Sequence, residues 1–253
     1  MAAGPKYIAS TILAFNDILN IEKAYEWDQK QILSFIDHVA NYSYLYDTHP
    51  EDRDALKMMR IEILELCPPT GKQFVAPGLT PDQTIKRRAN PMWDPNSPSK
   101  TSKFLLCPFL HKDIPFYGLF DILGLFLSSI GNAPRRATAQ NFYLPLVALY
   151  GQWCKTINPD RSAPTMYNCT WIKSGPDQGK FFLGASFKGY ASGVLSTGEW
   201  AEVLQEARFS LVNDSRLVSS GWTMKFCPVN IPNPTGGRYG NCAETYPFVF
   251  LLK

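Results

Sequence analysis

A chain of 253 residues with 45% hydrophobic and 19% charged residues can bury a sizeable core, which excludes disorder over most of its length. Its formal net charge of +3 is a mild basic excess that permits contact with RNA, nucleotides or acidic ligands without requiring it. The six cysteines (Cys67, Cys107, Cys154, Cys169, Cys227 and Cys242) form no close CxxC pair, which points to reduced thiols and a cytoplasmic protein rather than a disulfide scaffold.

The first third predicts helices. Tyr7, Ile8, Ile12, Phe15 and Leu19 recur at the helical interval, and so do Trp27, Ile32, Phe35, Ile36 and Val39. Pro50, followed by Glu51, Asp52 and Asp54, predicts the opening of a third helix. That helix should run to about Leu66 and stop before Pro68 and Pro69. Residues 68–103 hold seven prolines and no sustained period, so a long loop is expected there, either a substrate lid or RNA-contacting arm or a surface excursion.

Two more helices are predicted, around Pro115–Ser128 and Thr138–Trp153. The apolar run Ile114–Ile130 is interrupted by Pro115, Gly118, Asp121 and Gly124; it reads as a core helix and not as a membrane span. From about Thr165 the pattern changes. Met166–Ile172 and Lys180–Phe187 predict a hairpin, and Ser196-Thr197-Gly198-Glu199 has capping-box spacing ahead of the apolar face Trp200, Val203, Leu204, Ala207 and Leu211. Trp222–Val229 is a further strand candidate. The closing segment predicts either a short helix beginning near Thr245, where Pro247 is tolerated only in the first turn, or a buried strand over Tyr246–Leu252.

The expected architecture is therefore α/β, with a helical layer over residues 1–160 and a smaller mixed layer over 161–253, folding as one domain. The sequons at Asn41, Asn168 and Asn213 are expected to be unused in a reducing compartment. Basic residues cluster at Lys86-Arg87-Arg88 and Arg135-Arg136. The first cluster is a candidate RNA contact. The second lies just before a predicted helix start, where the positive helix end adds to its pull on an anionic substrate.

The stretch with most chemistry is Gly240-Asn241-Cys242-Ala243-Glu244-Thr245-Tyr246-Pro247, after the turn Gly236-Gly237-Arg238-Tyr239. A cysteine and a glutamate two residues apart at a loop-to-helix junction make a reactive pairing. The spacing resembles the Cys-x-Glu half of the cytidine deaminase-like superfamily, in fungal-type proteins with a long helical N-terminal part. That resemblance implies that Cys242 is a zinc ligand and Glu244 a proton carrier in a hydrolytic deaminase of a nucleoside or nucleobase.

The family's Pro-Cys-x-x-Cys does not follow Glu244 before Lys253, so the sequence shifts the expectation narrowly to metal-free chemistry. There Cys242 would be a nucleophile activated by a helix N-terminus or by Arg238, with Glu244 as base. Acyl transfer from a small activated donor or from aminoacyl-tRNA, as in a cyclodipeptide synthase, would fit. Arg238, Tyr239, Asn241 and Tyr246 are expected to line the pocket. Cys107 and His111 are the other residues that could be drawn into a zinc site, although Cys107 and Cys227 also read as small buried hydrophobes. A non-catalytic interaction module is the third reading.

Overall fold

The computed structural model describes residues 11–67, 87–92, 104–158, 163–186, 199–212 and 242–252. The first predicted helix is not observed over 11–20. Ala14 and Leu19 instead pair across a tight turn, in which Phe15, Asn16 and Asp17 have φ between 53° and 58°. Asn16 and Asp17 tolerate this left-handed conformation better than most residues, and Asn16 fixes it by donating to the Leu45 carbonyl at 2.9 Å. Helix α1 (Ile21–Tyr25) follows, capped by Asn20. Helix α2 (Gln29–Asn41) begins at a reciprocal Asp28–Gln31 capping box and buries Ile32, Phe35, Ile36 and Val39, as their spacing predicts. Pro50–Asp52 form one 3-10 turn, and α3 (Arg53–Leu66) buries Leu56, Met59 and Ile63.

The expected long loop contains a strand. β1 (Arg87–Ala89) pairs antiparallel with β2 (Phe104–Leu106). The helix predicted from Pro115 starts later than expected, because β3 (Phe109–His111) and β4 (Ile114–Phe116) form a hairpin first. Lys112 and Asp113, at φ 48° and 59°, close it in the twist that suits a two-residue hairpin turn.

Gly118 then caps α4 (Leu119–Ser129), ten of whose eleven residues are buried. A helix apolar on every side can only be a core element. It lies against α3 and against the strand β6 described below. The contact is close: an added Cβ on Gly124 would lie 2.6 Å from the Leu183 carbonyl and 2.9 Å from the Tyr150 hydroxyl.

After a π-helical turn over Ala139–Tyr143, capped by Thr138, α5 (Leu144–Ile157) buries Leu146, Leu149, Tyr150, Trp153 and Cys154. Trp153 stacks on Trp27 at 5.6 Å and donates to the Ala24 carbonyl at 2.8 Å, which ties the two ends of the helical layer. The predicted hairpin is present as β5 (Tyr167–Trp171) and β6 (Phe181–Ala185), in a register that sets Tyr167 opposite Ala185 and Trp171 opposite Phe181.

All five residues of β6 are buried, as expected of a strand covered on both faces. Helix α6 (Glu199–Val212) carries the predicted apolar face, the capping-box residues Ser196–Gly198 lying outside the described residues, and α7 (Thr245–Leu252) resolves the closing segment as a helix. The strand expected over Trp222–Val229 lies outside the described residues. The result is helices with small antiparallel sheets, α/β in the broad sense, around a main core that extends from Ala14 to Val249, with a small second cluster at Tyr117 and Leu204. No helix among the described residues is long and apolar enough to cross a membrane.

Candidate functional site

Helix α7 docks on β6 where Gly184 leaves room. A Cβ at Gly184 would meet the Ala243 carbonyl at 2.0 Å and Pro247 Cδ at 2.5 Å, so glycine lets the Cys-Ala-Glu turn lie directly on the strand. Tyr246 and Phe250 anchor the helix. The Tyr246 ring stacks on Phe116 at 4.5 Å and its hydroxyl donates to the Pro115 carbonyl at 2.9 Å, while Phe250 lies 4.5 Å from Phe182.

With the helix fixed in this way, Cys242 and Glu244 are left exposed at its start. The Cys242 carbonyl accepts from Arg208 Nη2 at 3.0 Å and from the Thr245 hydroxyl at 2.9 Å. Asn168 Nδ2, on β5, donates to Glu244 Oε1 at 3.5 Å.

Arg208 is 1% exposed. It projects from α6, donates to Asp121 Oδ1 of α4 at 3.0 Å and to the Ala185 carbonyl at the end of β6 at 2.9 Å. Burial pushes the Asp121 carboxyl up to about 6, with the Arg208 charge opposing that rise. Nη1 and Nη2 carry these bonds and hold the charge at this depth, while the buried Nε has no hydrogen-bond partner. Arg208 therefore acts as a strut joining α4, β6 and α6 to the turn that presents Cys242.

The sequence-predicted residues do not all converge on this turn. Arg238, Tyr239 and Asn241 lie outside the described residues. Tyr246 is not a pocket residue: it is 1% exposed and packs in the core, because the first turn of α7 points it onto Phe116. Arg135 and Arg136 are exposed on the loop before Thr138, but the cleft that Arg135 lines contains neither Cys242 nor Glu244. Lys86 lies outside the described residues, whereas Arg87 and Arg88 belong to β1.

His111 is buried on β3, 3.8 Å from Asp52 and stacked on Phe250. Among the described residues there is no group of three or more His, Cys, Asp or Glu side chains that could hold a metal. Three other described thiols are held protonated by their surroundings. Burial raises the pKa of Cys67, pushes Cys154 well above the ordinary thiol value and pushes Cys169 up to about 12.

Sequence reasoning missed Arg208, Asp121 and Asn168 as parts of the site. Asp121 carried a signal, since an acid inside an apolar run implies a buried cation to match it. Arg208 and Asn168 carried none, because their partners are distant in sequence. No family model, no curated protein and no solved structure matches the chain.

Proposed function

We propose that the Cys242–Glu244 turn is the catalytic centre of a hydrolytic deaminase acting on a nucleoside or nucleobase. One observation carries the reading: α7 begins at Thr245, directly after Cys-Ala-Glu, and lies on the β5–β6 hairpin. This is the local setting in which the resembled superfamily places a metal ligand and its proton carrier at a helix start. A thiolate is a donor that zinc takes readily, so Cys242 fits as one ligand; three are needed, and the described residues do not complete the set. Zinc held there would lower the pKa of a water to make the attacking group.

The chain's own contribution is clearer. Glu244 is exposed two residues from Cys242, and Asn168 restrains one carboxylate oxygen. In this reading the carboxylate would take a proton from the attacking water and deliver it to the departing amine.

The test is ammonia release from a panel of nucleosides and nucleobases, with zinc measured on the same protein. Release by the wild type, with about one zinc per chain, should disappear in Glu244→Gln while zinc remains. Cys242→Ala should lose the zinc as well. Ammonia release at the wild-type rate by Glu244→Gln would sink the assignment.

A second reading, cysteine acyl transfer, is favoured by the exposure of Cys242 just before a helix start, in a turn whose backbone Arg208 holds. The thiol would attack an activated acyl donor, including aminoacyl-tRNA, expel its leaving group and pass the acyl to a second nucleophile. An acyl adduct found by intact mass on zinc-free protein, and missing in Cys242→Ala, would replace deamination with this chemistry.

A further inference from the structure

A cleft lies at the turn end of the β5–β6 hairpin. Its volume is about 740 Å³, within the usual range for small-molecule sites. One wall is the loop from Ala133 through Thr138 and the π-helical turn that follows; the other is the hairpin end, Trp171–Lys173 with Gln178 and Gly179.

These walls are held together. Ala133 N–H donates to the Gly179 carbonyl at 2.9 Å, and Gly179 has φ 91°, a conformation that suits glycine. Asn141 donates to the Arg136 carbonyl at 3.1 Å and forms a capping box with Thr138. At the base, the Trp171 and Tyr143 rings stack at 4.4 Å with 11° between their planes. The cleft is therefore formed before any ligand arrives.

Its charge has one sign. Arg135 and Lys173 line it, no carboxylate does, and neither cation has an ion-pair partner among the described residues. The acid of the hairpin turn, Asp177, is held by Lys180 at 2.6 Å. The remaining lining mixes the uncharged polar side chains Thr138 and Gln178 with apolar and aromatic ones, including Pro134, Ile172 and the indole of Trp171.

Two cations in one cleft with a half-buried indole suit an anion joined to a flat ring. We propose that this cleft binds a nucleoside monophosphate, with Arg135 and Lys173 on the phosphate and the base against Trp171. It is distinct from the Cys242–Glu244 centre. Trp171 lies three residues beyond Asn168 on β5, roughly 10 Å along the strand and on the opposite face. A ligand here touches no reacting atom, so the site serves a second ligand or an effector.

Isothermal titration of the full chain with AMP and UMP, and separately with inorganic phosphate, tests this. At least one nucleotide should bind about tenfold or more tightly than inorganic phosphate, the ring adding its stacking. Arg135→Glu with Lys173→Glu should weaken that nucleotide by about 30-fold or more, and Arg135→Gln with Lys173→Gln should repeat the loss in direction. Cys242→Ala with Glu244→Gln should leave it unchanged, which separates this proposal from the catalytic one.

Four results would each overturn it. These are no binding of either nucleotide into the millimolar range, inorganic phosphate binding as tightly as the nucleotides, nucleotide affinity indifferent to charge reversal, and loss of nucleotide in the Cys242–Glu244 variant.

Discussion

Arg208 and Asp121 meet at 3.0 Å in the interior, 87 residues apart in sequence, and the same guanidinium also bonds the carbonyl of Cys242. The stability of the core and the position of the candidate centre are therefore set by one side chain. Arg208→Met should cost about 3–5 kcal/mol, because it leaves the Asp121 carboxyl buried without its cation. Adding Asp121→Asn to that variant should recover about 1–3 kcal/mol. Urea denaturation of the two singles and the double variant checks it, and strictly additive losses would show that the two residues act independently.

The same pair gives a pH dependence. Burial raises the Asp121 pKa from its ordinary value of 3.8 to about 6, so the folded protein holds this proton more tightly than the unfolded chain does. Its contribution is fully present below the unfolded value and is lost as pH rises through about 6. The loss is on the order of 2–3 kcal/mol. Asp121→Asn, which still leaves Arg208 the carbonyls of Ala185 and Cys242, should lack this decline. Identical pH profiles for wild type and variant would refute it.

Gly184 decides how closely the Cys-Ala-Glu turn approaches the hairpin. In Gly184→Ala the new methyl meets backbone at 2.0 Å, and backbone cannot rotate away. A cost at or above about 1–3 kcal/mol is expected, together with displacement of the turn and lower activity of the Cys242–Glu244 centre. Thermal unfolding and turnover, measured on the same preparation, should fall together. A variant with unchanged melting would place α7 elsewhere.

Thiol reactivity should follow burial. With limiting iodoacetamide at neutral pH, Cys242 should alkylate well before Cys67, Cys154 and Cys169, whose thiols are held protonated by their surroundings. Peptide mapping at short times reads the order directly. Preferential labelling of Cys169 would contradict the packing that half-buries it on β5.

Much of the fold was legible because local rules act through near neighbours. The apolar spacing of Ile32, Phe35, Ile36 and Val39, the Pro50 start, the hairpin around Gly175–Gly179 and the helix after Glu199 each depend on residues a few positions apart. The failures came where another local preference competed. Asn16 and Asp17 turned a helical apolar pattern into a left-handed corner, and the Lys112–Asp113 turn claimed Pro115 for a strand.

By itself the sequence determined helices α2 and α3 and the hairpin, since each is written in adjacent residues. Only the tertiary structure decided that Tyr246 belongs to the core, that Arg135 lines a cleft with Lys173 and Trp171, and that Arg208 holds the Cys242 turn. Those outcomes depend on burial and on partners tens of residues away, which periodicity and spacing do not encode.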